Sequence, residues 1–66
     1  MIYLEDIREG SVVVVRGGFG TESPKRVVVE EVHEEIKNGR SGIDYKESDG
    51  HSRWAYLDQV ERVVKY

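Results

Sequence analysis

Two valine runs, separated by a glycine-rich segment, dominate the pattern of hydrophobic and polar positions along the chain. Residues 12–15 are four consecutive valines, and residues 27–29 are three more. Valine is stiff at χ1 and packs well on a pleated surface, so each run predicts a β-strand. Residues 17–24 lie between the runs and contain three glycines and one proline. They predict a loop, because glycine supplies positive φ angles and proline cannot donate a sheet hydrogen bond.

Short apolar segments between turn signals predict three further strands. Residues 43–47 alternate apolar and polar positions, and the Asp49-Gly50 pair that follows is a strong hairpin signal. Asn38-Gly39 is a strong turn signal. The full set of predicted elements is strands at residues 11–16, 25–33, 43–47, 52–56 and 60–65, with one 3₁₀ turn at residues 57–59 before the last strand.

These elements predict an all-β fold, a small five-stranded barrel that forms a single domain over residues 1–66. No α-helix longer than about two turns is expected. Two adjacent glutamates at residues 30–31 break the alternation of the second strand and predict either a bulge or the emergence of the strand into solvent. Residues 34–42 are predicted as a second loop. Gly10 and Gly39 are predicted as turn positions, at least one of which needs a positive φ angle.

The composition of the chain argues against several classes of protein and several kinds of site. The 66-residue chain has no cysteine, so neither disulfides nor a thiolate zinc site can supplement so small a core. Its apolar runs fall well short of the roughly 18 residues of a membrane span, and its first residues carry acids where a signal peptide would carry bases. We therefore expect a cytoplasmic protein without a membrane segment. Thirteen acids against ten bases give a net charge of −3, whereas nucleic-acid-binding proteins usually have a basic excess.

The opening of the chain resembles that of SH3-like barrels. Ile7, Gly10 and Ser11 precede the valine run, the glycine loop follows it, and a 3₁₀ turn stands before the last strand. This superfold includes KOW-type modules. The resemblance implies that Val13 and Val15 point inward, and that the partner is RNA or a ribosomal or transcription component.

A more specific resemblance involves two segments of the chain. Residues 36–45 and 54–60 are similar to a group of small uncharacterised bacteriophage proteins. That resemblance implies a phage or prophage origin and brings no assigned activity with it. If the chain is phage-encoded, we expect its partner to be a host protein.

No motif in the chain predicts catalysis, a cofactor or a metal ion. The loop at residues 17–21 lacks the Gly-Lys-Ser/Thr sequence and the following helix that a phosphate-binding loop requires. Glu31, His33 and Glu35 share one face of the second strand, but steps of about 7 Å are too open for a tight metal site without a ligand from elsewhere. We expect a solvated acidic edge there, and a protein that is not an enzyme.

The aromatic side chains permit two interpretations. Tyr45, Trp54 and Tyr56 either fill the barrel or form a surface platform, with Trp54 the better surface candidate. Phe19, at the tip of the first loop, either folds back as a lid or is exposed as a partner anchor. Seven basic residues lie between positions 16 and 53 against eight acids, so a mixed surface rather than a basic stripe is expected.

The preferred hypothesis is a non-enzymatic protein-interaction module that docks a larger partner through its loops and exposed aromatics. The alternative is a KOW-like nucleic-acid-binding module, in which Tyr45 and Trp54 stack on bases. The predicted partner-binding residues are Phe19, Lys37, Arg40, Tyr45 and Trp54.

Overall fold

The two valine runs lie on neighbouring antiparallel strands of one five-stranded sheet. The structure is a computed structural model, and it describes residues 2–66 apart from the side chain of Phe19. Its strands are β1 (Val12–Arg16), β2 (Pro24–Lys37), β3 (Arg40–Lys46), β4 (Ser52–Tyr56) and β5 (Val60–Lys65), which pair in the order β4-β3-β2-β1-β5. One helical turn, α1 (Gly17–Gly20), follows β1, and the 3₁₀ turns are η1 (Leu4–Asp6) and η2 (Leu57–Gln59).

The strand order, together with η2 between β4 and β5, confirms the predicted all-β fold of an SH3-like barrel. β4, η2 and β5 begin and end at the predicted residues. With 14 residues, β2 is long enough to pair with β1 through its first part and with β3 through the rest. The pairing register with β3 shifts between Val29 and Glu31, which confirms the predicted bulge, and Val28 just before it pairs with both β1 and β3.

The predicted loop at residues 34–42 is wrong. β2 continues to Lys37 and β3 begins at Arg40, so that only Asn38 and Gly39 connect them. These two residues have positive φ angles of 55° and 70°. Such a turn matches the right-handed twist of the strands it joins. The Asn-Gly pair therefore lets pairing continue until Lys37 lies opposite Arg40, in a stretch whose composition alone indicates a loop.

The helical content of the fold is small. α1 takes up the first half of the loop predicted at residues 17–24 and ends at Gly20, whose φ angle is 93°. Its four residues agree with the expectation that no α-helix exceeds about two turns. Within the described residues, no helix combines the length and the apolar character needed to cross a membrane.

The hydrophobic core lies on the inner side of the sheet. Val13 and Val15 are fully buried there, as predicted, whereas Val12 and Val14 point outward and are half-buried. Tyr45 is also fully buried. Its prediction as a partner-binding residue is therefore wrong for the folded chain, because its ring is part of the core. The other core side chains are Ile7, Val27, Val29, Ile43, Ala55 and Val60.

The segment before β1 is tied to the strands on either side. Gly10 has a φ angle of 91°, which confirms it as a turn position, and its N–H donates to the carbonyl of Val29 at 2.8 Å. The buried hydroxyl of Ser11 accepts a hydrogen bond from the N–H of Arg8 at 2.9 Å. The same hydroxyl donates to the carbonyl of Tyr66 at 3.1 Å. These bonds join the start of β1 to β2 and to the residue that follows β5.

Candidate interaction surfaces

One candidate surface covers the outer side of β2, β3 and β4. Along β4, Ala55 is fully buried in the core. Because successive residues of a strand point to opposite sides of the sheet, Trp54 and Tyr56 share the outer side. The surface consists of Lys37, Arg40, Trp54 and Tyr56, and we call it the aromatic face.

On the aromatic face, two adjoining rings each have a cation over them. The Trp54 and Tyr56 rings meet edge to face, with centroids 5.1 Å apart and planes at 87°. Lys37 Nζ lies 5.4 Å from the centroid of the Trp54 ring, and Arg40 Cζ lies 3.9 Å from that of the Tyr56 ring. A cation–ring contact at an exposed position stabilises by about 0.5–1 kcal/mol. The four side chains therefore hold one another in place.

Polar bonds fix the Tyr56 end of the aromatic face. Asn38 Nδ2 donates to Tyr56 Oη at 3.0 Å, and the Arg40 guanidinium also pairs with the Asp58 carboxylate. Tyr56 is only 8% exposed, so its ring serves mainly as a support for Arg40. Trp54 is half-buried and is the larger ring at the surface.

The two-residue turn between β2 and β3 explains why these side chains meet. It places Lys37 opposite Arg40 on adjacent strands, from which each reaches a ring on β4. The structure thus brings together Lys37, Arg40 and Trp54, three of the residues predicted from the sequence, while their role in binding stays a prediction. Tyr56 is missing from the predicted set. The signal for it is the two-residue step from Trp54, which puts both rings on one side of a strand.

Trp54 stands between shallow grooves. A groove of about 360 Å³ separates it from α1 and has Gly18 on its far wall. Another, of about 420 Å³, lies between Trp54 and His33. Phe19, the remaining predicted contact, belongs to α1, which packs against β4 and η2, but its side chain lies outside the described residues.

An ion-pair network joins Glu22, in the segment after α1, to β2 and β4. Arg53 Nη1 and Lys25 Nζ lie 3.0 and 2.9 Å from the same oxygen, Oε1 of Glu47, and Arg53 Nη2 lies 3.3 Å from Glu22 Oε2. The hydrogen bond from Arg53 lowers the pKa of Glu22, and that from Lys25 lowers the pKa of Glu47. Burial raises the pKa of the nearby Tyr45, whose hydroxyl has no hydrogen-bond partner among the described residues. The Arg53 guanidinium is therefore engaged within the fold.

Glu31, His33 and Asp44 bring three potential metal ligands together on β2 and β3. One atom of each lies within 4.8 Å of the others. Asp44 is the third ligand that the spacing along β2 cannot supply, and strand pairing places it opposite Glu31. His33 Nε2 lies 2.8 Å from Asp44 Oδ2 and 4.0 Å from Glu31 Oε2, and the hydrogen bond to Asp44 raises the pKa of His33. An imidazole–carboxylate ion pair accounts for this geometry, and a metal ion would have to displace it.

A second candidate surface covers the outer side of β5, β1 and β2. We call it the valine face, and it consists of Val12, Val14 and Val28 with Arg26, Lys46, Arg62 and Lys65. Antiparallel pairing collects the four cations from β2, β3 and β5 around the valines of β1. Sheet pairing thus gathers four of the bases around the valines, within the mixed surface that the charge count predicts.

No family model, no curated protein and no solved structure matches the chain. The resemblances to KOW-type modules and to small bacteriophage proteins therefore stay predictions.

Proposed function

We propose that this protein is a non-enzymatic interaction module that binds another protein through its aromatic face. The observation that carries the proposal is the half-buried Trp54 ring, held against Tyr56 with the Lys37 ammonium over it. Tryptophan, tyrosine and arginine supply most of the binding energy at protein interfaces. A ring already held in one orientation loses little conformational freedom on binding, so more of its contact energy is expressed as affinity.

The charges around Trp54 favour a protein partner over a nucleic acid. Asp44 lies directly opposite Trp54, and Glu31 lies opposite Asp44, so carboxylates border the ring on β3 and β2. A phosphate backbone that approached the ring would be repelled by these carboxylates. A protein surface can instead match mixed charges with charges of its own.

A KOW-like nucleic-acid-binding module is the second candidate. The observation in its favour is Lys37 over the Trp54 ring, because sites for single strands combine a ring for base stacking with a nearby cation for phosphate. The two candidates differ in their response to salt. Phosphate binding weakens steeply as salt is added, whereas binding anchored by a tryptophan changes little.

The proposal includes the cellular location of the protein. We place the protein in the cytoplasm, which the absence of cysteine supports, since small extracellular domains often depend on disulfides. If the chain is encoded by a phage, a host protein is the expected partner. Bacterial lysate is then the appropriate source for a search.

A capture experiment with tagged protein in bacterial lysate, with and without nuclease treatment, tests the proposal. We expect the unmodified chain to retain a protein at both low and high salt, and Trp54→Ala to lose it, because a tryptophan anchor contributes about 2 kcal/mol or more. Tyr66→Ala is a matched control. Tyr66 is 57% exposed and has the Arg8 guanidinium 4.4 Å from its ring centroid, yet it lies beside Ser11 rather than on the aromatic face.

Three results would contradict this function. Capture that disappears with nuclease treatment would favour the nucleic-acid module, and so would capture that fails at high salt. Capture that Trp54→Ala leaves unchanged would exclude the aromatic face. Circular dichroism of the variant separates loss of a contact from loss of the fold, which is expected to survive because Trp54 lies outside the core.

A further inference from the structure

The valine face carries cations that the fold itself does not use. The chain has ten lysines and arginines, and six of them make an ion pair or lie over an aromatic ring. Among the side chains that the structure describes, those without either contact are Arg26, Lys46, Arg62 and Lys65. All four are exposed, and all four belong to the valine face.

Strand pairing sets two of these cations at the ends of an apolar row. Across the sheet, Lys46 lies opposite Val28, Val28 opposite Val12, and Val12 opposite Lys65. Val28 is 50% exposed, which is unusual for a valine in the middle of a sheet. The row therefore presents apolar surface to solvent with a positive charge on each side.

The next row along β1 repeats the arrangement. Val14 lies opposite Arg26 on β2 and opposite Arg62 on β5. Neither row contains a carboxylate. Of the neighbouring acids, Glu61 is paired with Arg16 at 3.0 Å, and Glu30 accepts a hydrogen bond from Ser52 at 2.8 Å. The valines thus form a strip along β1 that is bordered on both sides by cations.

The valine face gathers four like charges on one side of the sheet. Like charges that lie close together repel one another. The outer side of an antiparallel sheet usually carries polar side chains, whereas here three valines occupy its centre. A surface that combines exposed apolar area with unused charge is typical of an interaction site.

We infer that the valine face binds an acidic amphipathic helix of a partner protein. Arg26 and Arg62 are separated by two strand spacings, or about 10 Å, which matches the diameter of about 10–12 Å of a helix with its side chains. A helix laid along β1 would rest its apolar stripe on Val12 and Val14. Glutamates or aspartates that border the stripe would then meet a cation on each side.

The composition of the valine face argues against a nucleic acid. It contains no aromatic ring on which a base could stack. Phosphates gain nothing from contact with valines, so a nucleic acid would leave the apolar strip unused. A short acidic helix satisfies both the charges and the apolar strip.

This inference goes beyond the proposed function, because it assigns a second surface. It rests on that function only in treating the protein as a module that binds proteins. The aromatic face and the valine face share no residue, so either can be tested while the other is left intact.

Titration of the isotope-labelled full chain with a synthetic peptide, followed by NMR, tests the inference. The probe is a peptide of about 18 residues with leucines on one helical stripe and glutamates on both sides of it. We expect shifts at the amides of Val12, Val14 and Val28, and none at the indole of Trp54. A peptide of the same composition, scrambled so that the leucines do not share one face, is expected to bind at least about tenfold more weakly.

Charge reversal on each face provides the matched comparison. The double variant Arg26→Glu and Arg62→Glu is expected to weaken peptide binding by about tenfold or more, since it replaces attraction by repulsion at the site. The double variant Lys37→Glu and Arg40→Glu makes the same change in net charge on the aromatic face. It is expected to change peptide binding by no more than about twofold, because distant charges are screened.

Several outcomes would overturn the inference. They are the absence of shifts at millimolar peptide, equal binding of the scrambled peptide, and shifts that centre on Trp54. Tighter binding of an oligothymidine than of the peptide to the same amides would assign the valine face to nucleic acid instead. Each of these results leaves capture through Trp54 possible, so failure here and failure of the proposed function are distinguishable.

Discussion

The aromatic face and the valine face both carry lysine and arginine side chains, but these side chains are engaged on the first face and unpaired on the second. On the aromatic face, Arg40 lies over a ring and pairs with Asp58, and Lys37 lies over a second ring. On the valine face, Arg26 and Arg62 make neither kind of contact with any side chain that the structure describes. A cation therefore contributes to stability where the chain supplies a ring or a carboxylate, and it remains available to a partner where only valines lie beside it.

The largest expected effect on stability comes from a substitution that disturbs the pairing of β3 with β4 beneath the aromatic face. An alanine at Gly42 would place its Cβ 2.5 Å from the carbonyl oxygen of Ala55 and 2.5 Å from Cγ2 of Ile36. The carbonyl belongs to the backbone, so the pairing of β3 with β4 has to shift. We expect Gly42→Ala to lower the free energy of unfolding by about 2 kcal/mol or more.

Urea denaturation measures that loss, and NMR shows where it acts. The amides of β4 are expected to shift strongly, whereas those of the valine face shift little. An unchanged denaturation midpoint would mean that the strands can separate locally without cost, and that the aromatic face is not held as tightly as its contacts indicate.

The second effect tests the turn that brings Lys37 to Arg40. Gly39 has a φ angle of 70°, and a Cβ there would meet no atom within 4 Å, so the cost of Gly39→Ala comes from the backbone alone. We expect a loss of about 1 kcal/mol in thermal or urea unfolding. Gly39→Asn is the control and is expected to lose less, because asparagine tolerates this conformation. Equal losses for the two variants would contradict the turn geometry.

Much of the fold can be predicted because its signals are local. The Asp49-Gly50 pair and the alternation on either side of it define β4 and the strand before it without reference to the rest of the chain. The loop predicted at residues 34–42 fails because polar composition conceals pairing that the Asn-Gly turn permits. Alternation along the strand also places Tyr45 on the same side as Ile43, which predicts that Tyr45 is buried. This prediction from alternation is stronger than the general tendency of tyrosine to occur at interfaces.

The two faces differ in how far they can be predicted. Lys37, Arg40 and Trp54 lie on consecutive strands joined by tight turns, so reasoning from turns can group them. The valine face instead requires Val14 to pair with Arg62, which is far away in the sequence, and with Arg26 on the other side. Non-local pairing of this kind is not encoded in any short segment, which is why the basic cluster is not expected from charge counts.

The third effect is the stability that one cation of the aromatic face, Arg40, contributes. Arg40→Gln removes both the contact with the Tyr56 ring and the pair with Asp58. We expect a loss of about 0.5–1 kcal/mol in the free energy of unfolding, since each contact is partly exposed. Differential scanning calorimetry in low salt measures this loss of stability. Asp58→Asn removes only the ion pair and leaves the contact of Arg40 with the Tyr56 ring. No loss for Arg40→Gln would show that the ring contact does not persist in solution.

The fourth effect depends on pH. The hydrogen bond to Asp44 raises the pKa of His33, so the folded chain binds this proton more tightly than the unfolded chain. The resulting stabilisation is fully present below the ordinary histidine pKa of 6.5 and is lost as pH rises through the folded-state pKa. We expect His33→Gln to lower stability by about 0.5 kcal/mol near pH 5.5 and by less near pH 8.

His51→Gln is the matched control for that measurement. His51 lies in the turn between β3 and β4 with 83% of its side chain exposed, so its replacement is expected to change stability little at either pH. An effect of His33→Gln that grows as pH rises would contradict the sign derived from the ion pair with Asp44.

The smallest expected effect is the most direct test of the comparison between the faces. Arg62→Gln removes a cation that has no ion pair or ring contact among the described side chains and that lies across β1 from Arg26. Relief of repulsion is expected to leave the free energy of unfolding unchanged or to raise it by up to about 0.3 kcal/mol at low salt. The gain should vanish near 1 M salt, where the screening length falls to about 3 Å. A loss as large as that of Arg40→Gln would mean that Arg62 stabilises the isolated chain, and its charge would then not be free for an acidic partner.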